Sequence, residues 1–249
     1  MGKALTDPHE KGCDLADLTR RSRQQEQMDA PGLDSAVYER VLHDLARVNR
    51  WTFTAWPSIA FLNRGVGPAR HFRLLDIGFG DGDILRAVGR WARHRGIEAD
   101  LVGVDLNEKS LQAARVATPP DLAIDYRAGD YRDQAGPWDV VLSSQVAHHM
   151  TDEELTAFLR HMEAEARLGW LVCDLHRHRV AHWGFPLLAR LLGVHRITRE
   201  DGRLSIARSF RRDDWRAALR EAGIAPDQVR FVRRFAFRLC VERLRSHPR

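Results

Sequence analysis

The stretch LLDIGFGDGD, residues 74–83, decides the fold. An apolar run reaches Asp76 and passes at once into glycines at 78, 80 and 82. DILRAVGRWARHR (83–95) follows, with Ile84, Ala87, Val88 and Trp91 on one helical face. A strand that turns directly into a helix needs residues without a Cβ, because they permit positive φ and let a ligand approach the backbone. Outward from this turn the alternation repeats. ADLVGVDL (99–106) reads as a strand, NEKSLQAARVA (107–117) as a helix, AIDYRAGD (123–130) as a short strand and WDVVLSS (138–144) as another. TDEELTAFLRHMEAEAR (151–167) is a helix, with Thr151 and Glu154 spaced as a capping box and Leu155, Phe158, Leu159 and Met162 as its buried stripe. GWLVCDLH (169–176) is a further strand, DDWRAALREAGI (213–224) a helix, and VRFVRRFAFRLCVERL (229–244) two closing strands. Apolar strands alternating with amphipathic helices make an α/β, Rossmann-like, mostly parallel sheet covered on both faces.

Residues 34–249 are expected to form one such domain. Asp34 caps a helix on which Val37, Val41, Leu45 and Val48 recur at helical spacing. Residues 1–33 read as a polar N-terminal arm with one short helical candidate, LADLTRRSRQQEQM (15–28). Residues 177–210 exceed a minimal strand-to-helix connection and are expected to form a cap insertion.

Ligands of open α/β sheets sit at the carboxyl ends of the strands, so Asp76, Gly78, Gly80 and Gly82 are candidate cofactor contacts. Asp105 ends the second strand, where a carboxylate can accept both hydroxyls of a ribose, with Leu106 beside it. Asp130 is placed to meet an adenine amino group and Tyr131 to pack on the base; Ser144 ends the fourth strand. Helix capping is the competing role for each acid taken singly. The dinucleotide fingerprint wants Gly or Ala where this chain has Asp83. Asp76, Asp81 and Asp83 make the turn acidic, which suits a ligand carrying a sulfonium and an ammonium better than a pyrophosphate. The expected cofactor is S-adenosylmethionine.

On these residues the chain resembles the class I methyltransferase superfamily. LLDIGFGDG is similar to its first motif, VGVDL to the second-strand acid, GD at 129–130 to the adenine contact and WDVVLSSQVAHHM to the fourth-strand motif. VAHHM (146–150) resembles ubiquinone/menaquinone-type C-methyltransferases and their small-molecule relatives. DGRLSIARSF with DDWRAALREAG resembles natural-product methyltransferases acting on polyketide-like aromatics. The resemblance implies a seven-stranded sheet whose last strand runs antiparallel. The DPPY or NPPY of amino-methylating DNA enzymes is missing. Ser143 and Ser144 stand where catechol-type enzymes place a metal-binding acid, leaving Asp174 alone, so a metal-independent reaction is expected.

Methyl transfer from a sulfonium is an in-line displacement, so the protein supplies alignment and, for a phenol or enol, a base. His148 and His149 follow the fourth strand and are the candidate bases, alternatively packing against the helix at Thr151. DLHRHRVAH (174–182) holds a histidine cluster, read as a polar rim at the pocket mouth, with a metal site through His178 and His182, four apart, as the alternative and His176 a candidate substrate contact. WGFPLLARLLG (183–193) would roof the acceptor pocket with Trp183, Phe185, Leu188 and Leu192, or serve as a homodimer contact. The expected reaction is O-methylation of a flat, apolar, phenolic or enolic metabolite. C-methylation of an electron-rich ring and a non-catalytic methyltransferase-like binding subunit are the alternatives.

Composition agrees. The formal charge is +5, but the basic residues, nearly all Arg, are scattered among acids except for a basic stretch from Arg230 to Arg249 that reads as a solvated tail, so nucleic acid is not the expected partner. Cys13, Cys173 and Cys240 form no CxxC pair. No apolar run of about 18 residues exists for a membrane span, and MGKALTDPHEKGCDL lacks the apolar core of a signal peptide, so the cytoplasm is the expected location.

Overall fold

A computed structural model describes residues 18–30, 32–67 and 69–245. Cys13 and the first 17 residues of the arm lie outside the described residues. The strands are β1 (His71–Ile77), β2 (Glu98–Asp105), β3 (Ile124–Ala128), β4 (Trp138–Ser144), β5 (Ala166–Leu175), β6 (Arg230–Arg234) and β7 (Arg238–Leu244). They form one seven-stranded sheet of order β3-β2-β1-β4-β5-β7-β6. The pairs among β1 to β5 are parallel, and β7 is antiparallel to both its neighbours. The reversed order on either side of β1 and β4 makes a switch point, where such sheets open a crevice.

Successive side chains of a strand leave the sheet on opposite faces, and β1 separates two cores in this way. Leu75 and Ile77 join Trp138, Phe158, Trp170 and Trp215 on one face. Phe72 and Leu74 join Phe61, Leu85, Val88 and Leu171 on the other. The first face is covered by α5 (Asp152–Glu165) and α8 (Arg212–Glu221), the second by α2 (Trp56–Gly65), α3 (Asp83–His94) and α4 (Glu108–Ala117). The α5 capping box forms as read, with Glu154 N donating to Thr151 Oγ1 and Thr151 N to Glu154 Oε2, and its four stripe residues are fully buried. On α3 the buried face is turned toward Leu85, Gly89 and Ala92, leaving Ala87 and Trp91 half-buried.

The remaining helices lie at the carboxyl edge of the sheet. α1 (Ser35–Trp51) starts at Asp34, whose Oδ1 accepts from the backbone of Ala36 and Val37. The cap insertion is two helices, α6 (Arg179–Leu191) and α7 (Arg196–Arg208), packed on each other so closely that a Cβ on Gly202 would sit 2.2 Å from the Phe185 ring.

The arm corrects the sequence reading in one respect. Residues 18–26 form no helix, and only Gln27–Asp29 make a single 3₁₀ turn. Their polar groups are used elsewhere. Ser22 N donates to Ala207 O, the amides of Gln27 and Met28 donate to the Asp201 carboxylate, and Arg21 donates to the carbonyls of Met150 and Arg208. Each donor satisfied on α7 is one that an isolated helix would have had to satisfy internally, and Leu18 is buried where the strap begins.

Candidate active site

One cavity of about 740 Å³ opens over the carboxyl ends of β1, β2 and β4. That is within the size of small-molecule and cofactor sites. Gly78 and Gly80 of the glycine turn form part of its floor. Gly78 and Gly82 have φ of +77° and +79°, and a Cβ on either would sit 2.2 Å from Val146 Cγ2 or 2.3 Å from Tyr126 Oη, so only glycine fits. Gly80 N donates to Asp105 Oδ2 and Asn107 N to Asp105 Oδ1, each at 2.9 Å. Asp105 therefore ties the turn to the tip of β2 and keeps further lone pairs toward the cavity. It does not cap α4: Asn107 does, accepting from Lys109 N.

Behind the turn, Asp76 is buried with neither carboxylate oxygen hydrogen-bonded. Burial pushes it up to about 8, with Asp83 and Asp105 adding. Asp83 and Asp105 are raised as well, again chiefly by burial. Three buried acids around one turn make it a favourable neighbour for a positive charge.

Asp76 and Gly82 stand behind the cavity lining; of the other expected cofactor contacts, Leu106, Tyr131 and Ser144 line it, and Ser144 Oγ has no partner. Tyr131 packs edge-on against Phe158 and His161. Asp130 does not line the cavity, although Gly129 and Tyr131 on either side do. Its carboxylate is turned to the Arg132 backbone and guanidinium.

The histidine pair stands on a single 3₁₀ turn after β4, with its rings 4.3 Å apart. His148 is buried. Its Nδ1 and backbone N meet the two oxygens of Asp174, each at 2.7 Å, and its Nε2 lies 3.5 Å from Glu26 Oε1. Burial opposes its charge, but Asp174 and Glu26 outweigh burial and hold the imidazolium to about 10. Burial likewise pushes Glu26 up, and His148 with His149 brings it down to about 2. His149 is more exposed, with Nδ1 3.1 Å from Asp29 Oδ2 and Nε2 3.9 Å from Glu26 Oε2. Arg208 donates to the carbonyls of both histidines and steadies the turn.

Sequence reasoning missed Glu26, Asp29 and the use of Asp174. Nothing in RRSRQQEQMD marks Glu26 apart from its being the one acid before Asp29 in an otherwise basic and amide-rich run.

On the acceptor side, Val41, Leu42, Leu45, Phe185, Leu188 and Ile206 line the cavity. Trp183 and Leu192 do not. Trp183 is exposed with Arg203 over its ring, because the inward face of α6 runs through Ala181, Gly184, Phe185 and Leu188. His176 also stands outside the cavity lining, and burial with Arg233 lowers it to about 4, so it stays neutral. The rest of its cluster has local duties: His178 caps α6 and His182 Nε2 accepts from Arg203. No described helix is long and apolar enough to cross a membrane.

Residues 74–167 match the methyltransferase domain family. The chain is 31% identical over 96 residues to a ubiquinone biosynthesis O-methyltransferase of Mesorhizobium japonicum, a match covering 37% of this chain and 36% of that protein. The alignment thus spans about a third of the curated relative's length. Among solved structures, the magnesium protoporphyrin IX methyltransferase of Synechocystis PCC 6803 with bound SAH is similar at TM-score 0.52 and 16% identity, covering 88% of this chain and 91% of that one. A SAM-dependent methyltransferase from Aquifex aeolicus is similar at TM-score 0.57 and 15% identity, covering 84% and 97%. At such identities the structural likeness concerns the fold, which is that of the class I methyltransferases.

Proposed function

We propose that this class I methyltransferase moves the methyl group of S-adenosylmethionine onto an oxygen of a small, flat, apolar acceptor, a phenol or enol of polyketide- or quinone-like kind. The observation that carries the reading is one apolar cavity joining an acidic glycine turn to a carboxylate-held histidine pair. The cofactor's ammonium pairs with the acids of the turn, its ribose with Asp105, and its adenine packs by Leu106 and Tyr131. The acceptor lies against the inward faces of α1, α6 and α7. His148 already holds two protons, so it steadies a phenolate by charge, and His149, oriented by Asp29, takes the hydroxyl proton as the methyl transfers.

Calorimetry tests the cofactor half. S-adenosylhomocysteine should bind and NAD should not, and the reverse would sink the proposal. Asp76 must ionise to meet an ammonium, so affinity should rise with pH up to about 8 with proton release on binding below that. An affinity flat between pH 6 and 8 would detach Asp76 from the ligand. Asp105→Ala should weaken binding by on the order of 1.5–3 kcal/mol, the value of a charge-assisted hydrogen bond.

The arm is the lid of this site: Glu26, Met28 and Asp29 line the cavity, and the strap must lift for the cofactor to enter. Amide exchange in residues 18–30 should slow when S-adenosylhomocysteine is added. Equal rates with and without ligand would make the strap a fixed wall.

A further inference from the structure

Both histidines turn their Nδ1 atoms to a carboxylate, His148 to Asp174 and His149 to Asp29, and both Nε2 atoms converge on Glu26. We propose that Glu26, His148 and His149 bind a divalent transition-metal cation, zinc being the best chemical match, and that the acceptor oxygen occupies its open position. The consequence for catalysis rests on the methyl-transfer reading above, while the site itself rests on geometry.

One ligand atom from each of the three residues can be chosen so that all lie within 4.8 Å of one another. Zinc holds imidazole nitrogens and carboxylate oxygens at about 2.0–2.2 Å in tetrahedral array, so its ligand atoms stand roughly 3.4 Å apart. His148 Nε2 stands 3.5 Å from Glu26 Oε1 and His149 Nε2 3.9 Å from Oε2, so a bound cation draws the three groups together. Histidines that ligate metals usually donate the other ring N–H to a carboxylate, which fixes the tautomer and the ring. His148 does so with Asp174, which is itself fixed by the His148 and Leu175 amides, and His149 Nδ1 stands 3.1 Å from Asp29 Oδ2. Among the described residues no other histidine, cysteine and carboxylate group converges in this way.

Charge points the same way. The carboxylates of Glu26, Asp29 and Asp174 surround the histidines; Arg208 stands 3.7 Å from Glu26, and the Arg21 guanidinium reaches the His148 carbonyl and is paired with Asp152. All three ligands line the transfer cavity, so the fourth position faces the acceptor. A hydroxyl bound there loses its proton to solvent, and the oxygen lone pair forms the new O–CH₃ bond as the C–S bond breaks. The electron pair stays on sulfur, leaving S-adenosylhomocysteine. With the cation bound, His149 is a ligand and the cation replaces it as the agent of deprotonation.

The test uses the full chain, dialysed against chelator and titrated with zinc chloride alone. One zinc per chain is expected by elemental analysis. Affinity should fall at least tenfold in Glu26→Gln and His149→Gln, and about 10- to 100-fold in Asp29→Asn. His178→Gln, outside the cluster, should keep full affinity. Cobalt(II) should give the intense visible bands of a four-coordinate site. No retained zinc, or unchanged affinity in Glu26→Gln and His149→Gln, overturns the proposal. S-adenosylhomocysteine binding is measured on the same samples. Binding without zinc leaves methyl transfer with His149 as base, and zinc without S-adenosylhomocysteine binding leaves the metal site and removes the methyl-transfer reading.

Discussion

Replacing His149 by Asn should slow turnover of a phenolic acceptor by about 10²–10⁴ while leaving S-adenosylhomocysteine affinity within a few-fold of the parent. The size follows from what a positioned base contributes to a proton-coupled displacement. The selectivity follows from where the ring stands: it faces the cavity, and Asp29 rather than the glycine turn holds its Nδ1. An electron-rich carbon acceptor needs less help with its proton, because alignment supplies most of its acceleration. The same variant assayed on a C-nucleophile should therefore lose far less. Near-parental turnover on the phenol would remove His149 from the reaction.

What the sequence disclosed, and what it withheld, divides along a physical line. The glycine turn and the α5 capping box were legible because each is a short-range demand. A strand-to-helix reversal needs positive φ at Gly78 and Gly82, and a helix start needs Thr151 and Glu154 three residues apart. The two covered faces were legible from apolar strands alternating with amphipathic helices, and the structure sends Leu74 and Leu75 into opposite cores.

The α6 stripe was not legible. Phe185 and Leu188 face the cavity while Trp183, Leu187 and Leu191 are exposed, but the helix is apolar on both sides, and periodicity cannot choose between two greasy faces. The partners of the histidines were hidden more deeply. Glu26 and His148 are 122 positions apart along the chain, and only the docking of the strap on α7 brings them together. Local rules assigned that strap to a helix because they had no access to the carbonyls and carboxylates of α7 that its donors reach.

The second large effect belongs to His148. His148→Gln should destabilise the fold by about 3–5 kcal/mol, the range for breaking a buried ion pair and leaving its partner charged. For a domain of this size that is a loss of roughly 6–20 °C in Tm. Two carboxylates depend on this one ring. Asp174 keeps its backbone donors without it, but Glu26 is left with Ser205, a distant Arg208 and His149 at 3.9 Å. The pH dependence carries the same signature. His148 is raised from 6.5 to about 10, so its contribution is complete below pH 6.5 and is lost as pH climbs through about 10. Glu26 is lowered from 4.5 to about 2, so its share is complete above pH 4.5 and is lost as pH falls toward 2. Between pH 7 and 10 the wild-type Tm should decline more steeply than that of His148→Gln, which has no imidazolium to lose. Parallel declines would mean that the ring is neutral in the folded protein. Adding Glu26→Gln to His148→Gln should then restore part of the lost stability, because it removes the carboxylate that the first substitution stranded in the interior.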